Sequence, residues 1–302
     1  GQFEFNLVKY GKNFVVGRSR NNFNLLPNKG LNIPYSIYDE KKQLQIYSNF
    51  INKYKDVNYD ALGLSFIQSS SILNKIKRKY KNIVIVAKIE NYLGLKNVNE
   101  ICESTDVVMI DRGDLGAEIG NNRLYKAIVD ISKATKKNGK SLIMATENLD
   151  SMLTRQSPNK SDIVGLAFSL SLQADKIMLS DETATSSNWY SSLKWLNIFL
   201  RNNENEKSSF AGKEDTFWNI IRNLPEGVPI VIFSKKGIAV EKISKIQNTS
   251  DLIIFTDDKK TSTLCSFRSN AETILIDKFG EQEKNEYVYK AILNNRNQIF
   301  KK

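Results

Sequence analysis

An α/β fold of barrel type is predicted by three features of this 302-residue sequence. Short apolar, β-branched runs recur along the chain, helix-length segments separate them, and each run ends in polar, hydroxyl or acidic residues. The runs are Asn82–Ala87, Val107–Ile110, Lys140–Ala145 and Ala174–Leu179. Apolar on both faces, they read as parallel strands covered by helices. Chemistry in such folds gathers at the carboxyl ends of the strands.

In chain order, Gln2–Gly17 reads as β-rich material, a helix as spanning Glu40–Tyr54 and a further strand as Ala61–Ile67, with Ser65 near its end. Helices are expected at Ser71–Tyr80, Val98–Cys102, Leu124–Lys137, Lys160–Leu172 and Tyr190–Asn202. Gly139, just past the third of these, suits a helix stop. The polar stretch Asn203–Asp215 reads as a linker. Beyond it, strands Val228–Phe233, Leu252–Thr256 and Thr273–Ile276 alternate with helices Gly237–Ile246, Lys260–Ser266 and Glu283–Asn294, a second and smaller α/β unit.

The strand ends carry the chemistry. Lys88 and Glu90 are spaced i, i+2, which points both side chains to one side of the strand end. The next run closes in Arg112, Gly113 and Asp114, and the following two in Thr146-Glu147-Asn148 and Ser180-Asp181-Glu182-Thr183. A lone Lys-x-Glu is usually a pair of solvated loop charges; the recurrence at successive strand ends favours a site. Two carboxylates and a lysine suit a hard divalent cation holding an anionic oxygen substrate, with Glu90 and Asp114 as oxygen ligands and Lys88 as a fixed positive charge.

Composition removes several classes. The hydrophobic fraction of 41% and charged fraction of 25% are those of an ordinary globular chain. No apolar run approaches the about 18 residues of a membrane helix, so no membrane partner is expected. There is no histidine, which excludes histidine triads, histidine zinc sites and histidine general bases. Cys102 and Cys265 have no metal or redox spacing and read as reduced core thiols of a cytoplasmic protein. The formal charge of +11 arises from scattered lysine without an arginine-rich or aromatic-interleaved patch, so nucleic acid is not expected as a partner. Gly113, Gly116 and Gly120 do not make a dinucleotide fingerprint, and no phosphate-binding Gly-x-x-x-x-Gly-Lys loop occurs.

Four motifs carry a family resemblance: Lys-Ile-Glu-Asn (88–91), Arg-Gly-Asp-Leu-Gly (112–116), Ala-Thr-Glu-Asn-Leu-Asp-Ser-Met (145–152) and Met-Leu-Ser-Asp-Glu-Thr-Ala (178–184). In order and spacing they resemble the signatures of the pyruvate kinases. The resemblance implies a (β/α)8, TIM-barrel type of fold in which strands 4–8 are recognisable, Ala61–Ile67 being the fourth. It further implies four segments: 1–30, the end of a small β-domain insertion with its return to the barrel; 31–202, the barrel segment; 203–215, the linker; and 216–302, a shortened C-terminal α/β domain. The first three strands have no counterpart, and the chain starts without Met. It therefore reads as a piece of a longer chain, a partner that supplies the missing strands and a rebuilt fold being the alternatives.

By the same resemblance, Lys88 steadies a phosphoryl group passing between phosphoenolpyruvate and ADP, and Glu90 and Asp114 ligate Mg²⁺ (or Mn²⁺), with K⁺ as a further candidate cation. Amides around Gly113 and Asp114 receive the substrate carboxylate, Thr146 lies near the enolate carbon, and Ser65 and Arg112 shape the substrate site. In the turn Phe-Ser-Lys-Lys-Gly (233–237), Ser234 and Gly237 match an effector-phosphate turn; a plain strand–turn–helix link is the competing account. The implied protein is a glycolytic, cytoplasmic homo-oligomer. Departures from the family pattern are Asp111 for alanine, Glu147 and Asn148 for Gln-Met, Asp181 for glycine, and Thr185-Ser186 for Lys-Gly. They leave open a metal enzyme acting on another enol or keto acid, and a non-catalytic subunit.

Overall fold

The computed structural model describes residues 5–19, 22, 34–203, 224, 228–245, 250–277 and 292–295. Strands β1 (Phe5–Gly11) and β2 (Phe14–Ser19) pair as an antiparallel hairpin, the β-rich start expected from the sequence. The main body is a five-stranded parallel sheet: β3 (Ala61–Leu64), β4 (Val84–Ile89), β5 (Val107–Asp111), β6 (Ser141–Ala145) and β7 (Lys176–Met178), in sequence order. Among the described residues the sheet is open, with β3 and β7 at its edges. Among the described residues these five strands stand where the resemblance puts strands 4–8, and they do not close into an eight-stranded barrel.

Helices α2 (Ser70–Lys79), α4 (Val98–Ser104), α6 (Asn121–Lys137) and α7 (Lys160–Ser171) fill the crossovers, α1 (Glu40–Lys53) precedes the sheet and α9 (Trp189–Asn203) follows it, and short α3 (Tyr92–Lys96), α5 (Arg112–Ile119) and α8 (Asp181–Ala184) follow strand ends. One sheet face, with Ile85, Ala87, Ile89, Val108, Ile110, Leu142 and Met144, packs on Ile72, Leu73, Ile76, Ile101, Ile128 and Ile131 of the helices. Each fully buried isoleucine contributes about 1.5–3 kcal/mol by leaving water, so this layer dominates the stability of the sheet. The other face, with Val84, Val86, Met109, Ile143 and Ala145, is packed by Leu264 and Phe267.

Those two residues come from the smaller unit, a three-stranded parallel sheet ordered β10-β9-β8 from β8 (Ile230–Phe233), β9 (Leu252–Thr256) and β10 (Ala271–Leu275). Helices Ile238–Lys245 and Lys259–Ser266 connect its strands. It meets the larger sheet at the strands' amino ends. The buried Arg268 donates to the Gly139 carbonyl, Lys140 pairs with Glu241 at 3.4 Å, and the Ser269 amide donates to Asp175 at 3.2 Å. The carboxyl ends are left for the site.

Several boundaries move for local reasons. The first sheet strand stops at Leu64, three residues before the expected Ile67, because Phe66 turns into the left-handed region (φ 56) and gives its amide to Glu90. Strand β7 starts at Lys176 rather than Ala174, since Gln173 (φ 56) ends α7 with the Ala174 amide donating to the Ser169 carbonyl at 3.1 Å. Helix α6 starts at Asn121, where Gly120 (φ 85) separates it from α5. The expected linker beyond Asn203, the return stretch before Pro34 and most of the Glu283–Asn294 helix lie outside the described residues. No helix of the described residues is long and apolar enough to cross a membrane.

Candidate active site

Strand geometry brings together what the sequence separates. Lys88 pairs in register with Met109 on β5, and Asp111 with Ala145 on β6, so the ends of β4, β5 and β6 lie side by side. Glu90 follows β4 directly and is wholly buried. Its Oε2 accepts from the Phe66 amide at 2.5 Å, and its Oε1 lies 2.5 Å from the Lys88 ammonium. Lys88 Nζ reaches Asp111 Oδ2 at 3.3 Å and Ser65 Oγ at 3.4 Å. Lys88, Glu90, Asp114, Ser65, Gly113 and Thr146 are thus gathered at the carboxyl end of the sheet.

Asp111 stands at the end of β5 and is the N-cap of α5, its carboxylate accepting from the Asp114 amide at 3.4 Å. The Thr146 hydroxyl, with one proton to give, lies 3.1 Å from Asp111 Oδ1 and 2.8 Å from its neighbour's carbonyl, while accepting from the Gly113 amide at 3.1 Å. Glu90, Asp111 and Asp114 each offer an oxygen within 4.8 Å of the others, Asp114 being the most exposed. Three hard oxygens at that separation fit a divalent cation.

The charges respond to burial and to each other. Burial pulls the Lys88 ammonium down, but Glu90 and Asp111 outweigh it and hold its pKa above the ordinary value. Burial raises the Glu90 carboxyl, with Lys88 opposing, and raises Asp114, to which Asp111 adds. Phe66, Thr146 and Glu147 all adopt left-handed backbone (φ 56, 59 and 50), so strain concentrates at the strand ends around the site.

Arg112 is placed differently from the other predicted site residues. It is 7% exposed, and its guanidinium donates to the Thr146 carbonyl, through Nε at 3.1 Å and through Nη2, and to Asn148 Oδ1 at 2.8 Å. It acts here as the brace of the Thr146 turn. Asn148 in turn donates to the Met178 carbonyl at 2.7 Å, and buried Glu182 accepts the Ser180 amide at 2.8 Å and the Leu149 amide at 3.3 Å. Tyr47 and Gln43 of α1 hold the Ser65 and Phe66 carbonyls. These supports were not singled out from the sequence as site residues; the signal for Asp111 as a cap is the Asp-x-x-Asp spacing ahead of a helix.

Ser234 and Gly237 lie away from this site. They belong to the smaller unit, where Gly237 (φ 71) gives its amide to Ser234 Oγ at 3.0 Å. Gly237 borders a cleft of about 760 Å³ whose lining includes Lys77, Asp106, Lys140, Lys235 and Lys236. Asp106 and Lys140 precede β5 and β6, so the cleft opens at the opposite, amino end of the sheet.

Fold and site together define a parallel α/β protein with an acidic, lysine-bearing centre at the carboxyl ends of its strands. The model of the pyruvate kinase barrel domain matches residues 1–192. A pyruvate kinase of Dictyostelium discoideum is 33% identical over 211 residues, covering 67% of this chain and 41% of the relative. One from Hypocrea jecorina is 35% identical over 179 residues, covering 56% and 32%, and one from Thermococcus litoralis 29% over 212, covering 67% and 43%. A crystal structure of a pyruvate kinase from Cryptosporidium parvum shares the fold, with a TM-score of 0.73 at 21% identity over 98% of this chain and 66% of that one. The chain belongs to the pyruvate kinase family. It spans less than half the length of these curated relatives.

Proposed function

We propose that the protein containing this chain transfers a phosphoryl group between phosphoenolpyruvate and ADP, giving pyruvate and ATP, with Mg²⁺ or Mn²⁺ and with K⁺ as a further cation. One observation carries the reading: Lys88, Glu90, Asp114 and Thr146, on three different strand ends, converge on one space. Phosphoryl transfer asks mainly for positioning and charge neutralisation, which needs no histidine.

Glu90 and Asp114 would hold the divalent cation, which when bound neutralises charge on the anionic substrate. Lys88 is set to place its ammonium against the phosphoryl group as the P–O bond to the enol oxygen breaks and one to a terminal oxygen of ADP forms. The amides of Gly113 and Asp114, at the start of α5, suit a substrate carboxylate. Thr146 holds its hydroxyl where the enol carbon would take a proton from water. Ser65 shapes the pocket beside Lys88, and Arg112 fixes the turn that presents Thr146. A reducing compartment such as the cytoplasm suits Cys102 and Cys265, both free and buried, and the family's homo-oligomeric state and glycolytic role are carried over as part of the proposal.

The test is an assay of the full-length gene product with Mg²⁺, K⁺, ADP and phosphoenolpyruvate. Pyruvate formation that disappears in Glu90→Gln and Lys88→Met supports the reading, and no pyruvate from the parent refutes it. The buried Asp111 favours a second reading, the same cation centre acting on a less charged enol or keto acid.

A further inference from the structure

We infer that Asp111 is the specificity-determining residue of this site: its carboxylate occupies the seat that would otherwise receive a substrate carboxylate. The inference rests on the proposed function for the location of that seat, and on this chain's own geometry for its occupant. The family pattern has a small uncharged residue at this position. Here the position carries a carboxylate that is 6% exposed and bound from three sides. Oδ1 lies 3.4 Å from the Asp114 amide and 3.1 Å from the Thr146 hydroxyl, and Oδ2 lies 3.3 Å from the Lys88 ammonium. A helix-start amide, a hydroxyl and an ammonium are the donors a carboxylate ligand would use. The structure therefore contains a carboxylate in a carboxylate seat, and that carboxylate is tethered.

Tethering decides the competition. An intramolecular group meets its donors at a high effective concentration, while a free carboxylate must displace it and then sit beside its charge. A Cβ built on Gly113 would lie 3.6 Å from Thr146 Oγ1, 3.8 Å from Asp111 Oδ1 and 4.0 Å from Glu147 Oε1, so a single carbon fits beside the seat and a larger group must move these side chains. Asp111 thus weakens the hold of the parent chain on a free carboxylate at this point: a substrate carboxylate, that of phosphoenolpyruvate included, must displace it from the Asp114 amide, the Thr146 hydroxyl and Lys88.

Oxalate, a planar dicarboxylate, is the probe. It is titrated calorimetrically, with and without Mn²⁺, into the full chain and into Asp111→Ala and Asp111→Asn variants. Asparagine retains the shape and helix-capping ability of the side chain while removing its charge, which guards against a variant that fails to fold. The expected result is oxalate affinity tighter by at least about tenfold in Asp111→Ala than in the parent, with Asp111→Asn between them. Equal affinity in all three, tighter binding by the parent, or no oxalate binding by either variant overturns the inference. Mn²⁺ binding is read separately by electron paramagnetic resonance. Its absence from the parent counts against the cation centre of the proposed function, whereas the Asp111 inference is judged on oxalate alone.

Discussion

Arg112→Met tests whether the Thr146 turn is held by the buried guanidinium. The substitution keeps an unbranched stem of similar length and removes every donor. Two acceptors lose their partner, the half-buried Thr146 carbonyl and the buried Asn148 Oδ1. An unsatisfied buried acceptor costs about 1–3 kcal/mol, so the loss is about 2–6 kcal/mol. Part is returned, because Thr146 can relax from φ 59, and backbone strain of this kind is worth about 1–3 kcal/mol. Burial already lowers the Arg112 pKa, so removing the guanidinium also removes a desolvation cost, but it deprives Glu147, Asp150 and Glu182 of a cation that acts on them. The net expectation is a destabilisation of about 1–4 kcal/mol. Urea unfolding followed by circular dichroism measures it, with a common slope across variants as the check that only stability changed. Arg112→Lys, whose single ammonium cannot span both acceptors, is expected in between. A loss below about 0.5 kcal/mol in Arg112→Met would mean the turn is held by something other than this side chain.

The remaining expectations follow from single contacts. Ile110→Ala, at a fully buried position of β5, is expected to cost about 2–5 kcal/mol in the same unfolding assay; a cost under 1 kcal/mol would contradict the packing of that face. Gln173→Gly should stabilise the chain by about 0.5–1 kcal/mol, because Gln173 holds a left-handed conformation (φ 56) at the end of α7 that glycine adopts without strain. A lower midpoint would contradict this. Burial pushes the Cys102 and Cys265 thiols up to about 11. At pH 8 only about one in a thousand is thiolate, so a thiol-reactive dye should label both slowly until denaturant is added, and rapid labelling of the native chain would argue against it. Cation binding needs Glu90 and Asp114 ionised, and burial raises both. As pH falls, protons therefore compete with Mn²⁺ at a higher pH than ordinary carboxylates would allow. Affinity unchanged from pH 7 down to about pH 4.5 would exclude that order of events.

Much of this architecture was legible in the sequence. The strands were found because a sheet covered on both faces needs continuous apolar runs, and Val107–Ile110 is such a run. The gathering of Lys88, Glu90, Asp114 and Thr146 was legible because parallel strands place their carboxyl ends together. Boundaries failed where a side chain overrode the local pattern. Ser65–Ile67 looks like strand, but the Phe66 amide is drawn out of the ladder toward Glu90. Arg112, which the resemblance puts at the substrate site, is 7% exposed and holds the Thr146 carbonyl, a contact that its place in the sequence does not disclose.

By itself, then, the sequence determined the periodicity of strand and helix, the family and which acidic, basic and hydroxyl residues stand at the strand ends. These depend on residue type and spacing along one chain, and such information is local. The tertiary structure decided what is not local: that the five strands form an open sheet among the described residues, that Leu264 and Phe267 pack against the face bearing Val84, Val86 and Met109, and that Asp111 is buried beside Lys88. From spacing alone Asp111 was a charge near a pocket. Register across β5 and β6 sets its carboxylate among the Asp114 amide, the Thr146 hydroxyl and the Lys88 ammonium, because a hydrogen-bonded ladder fixes which strand ends meet.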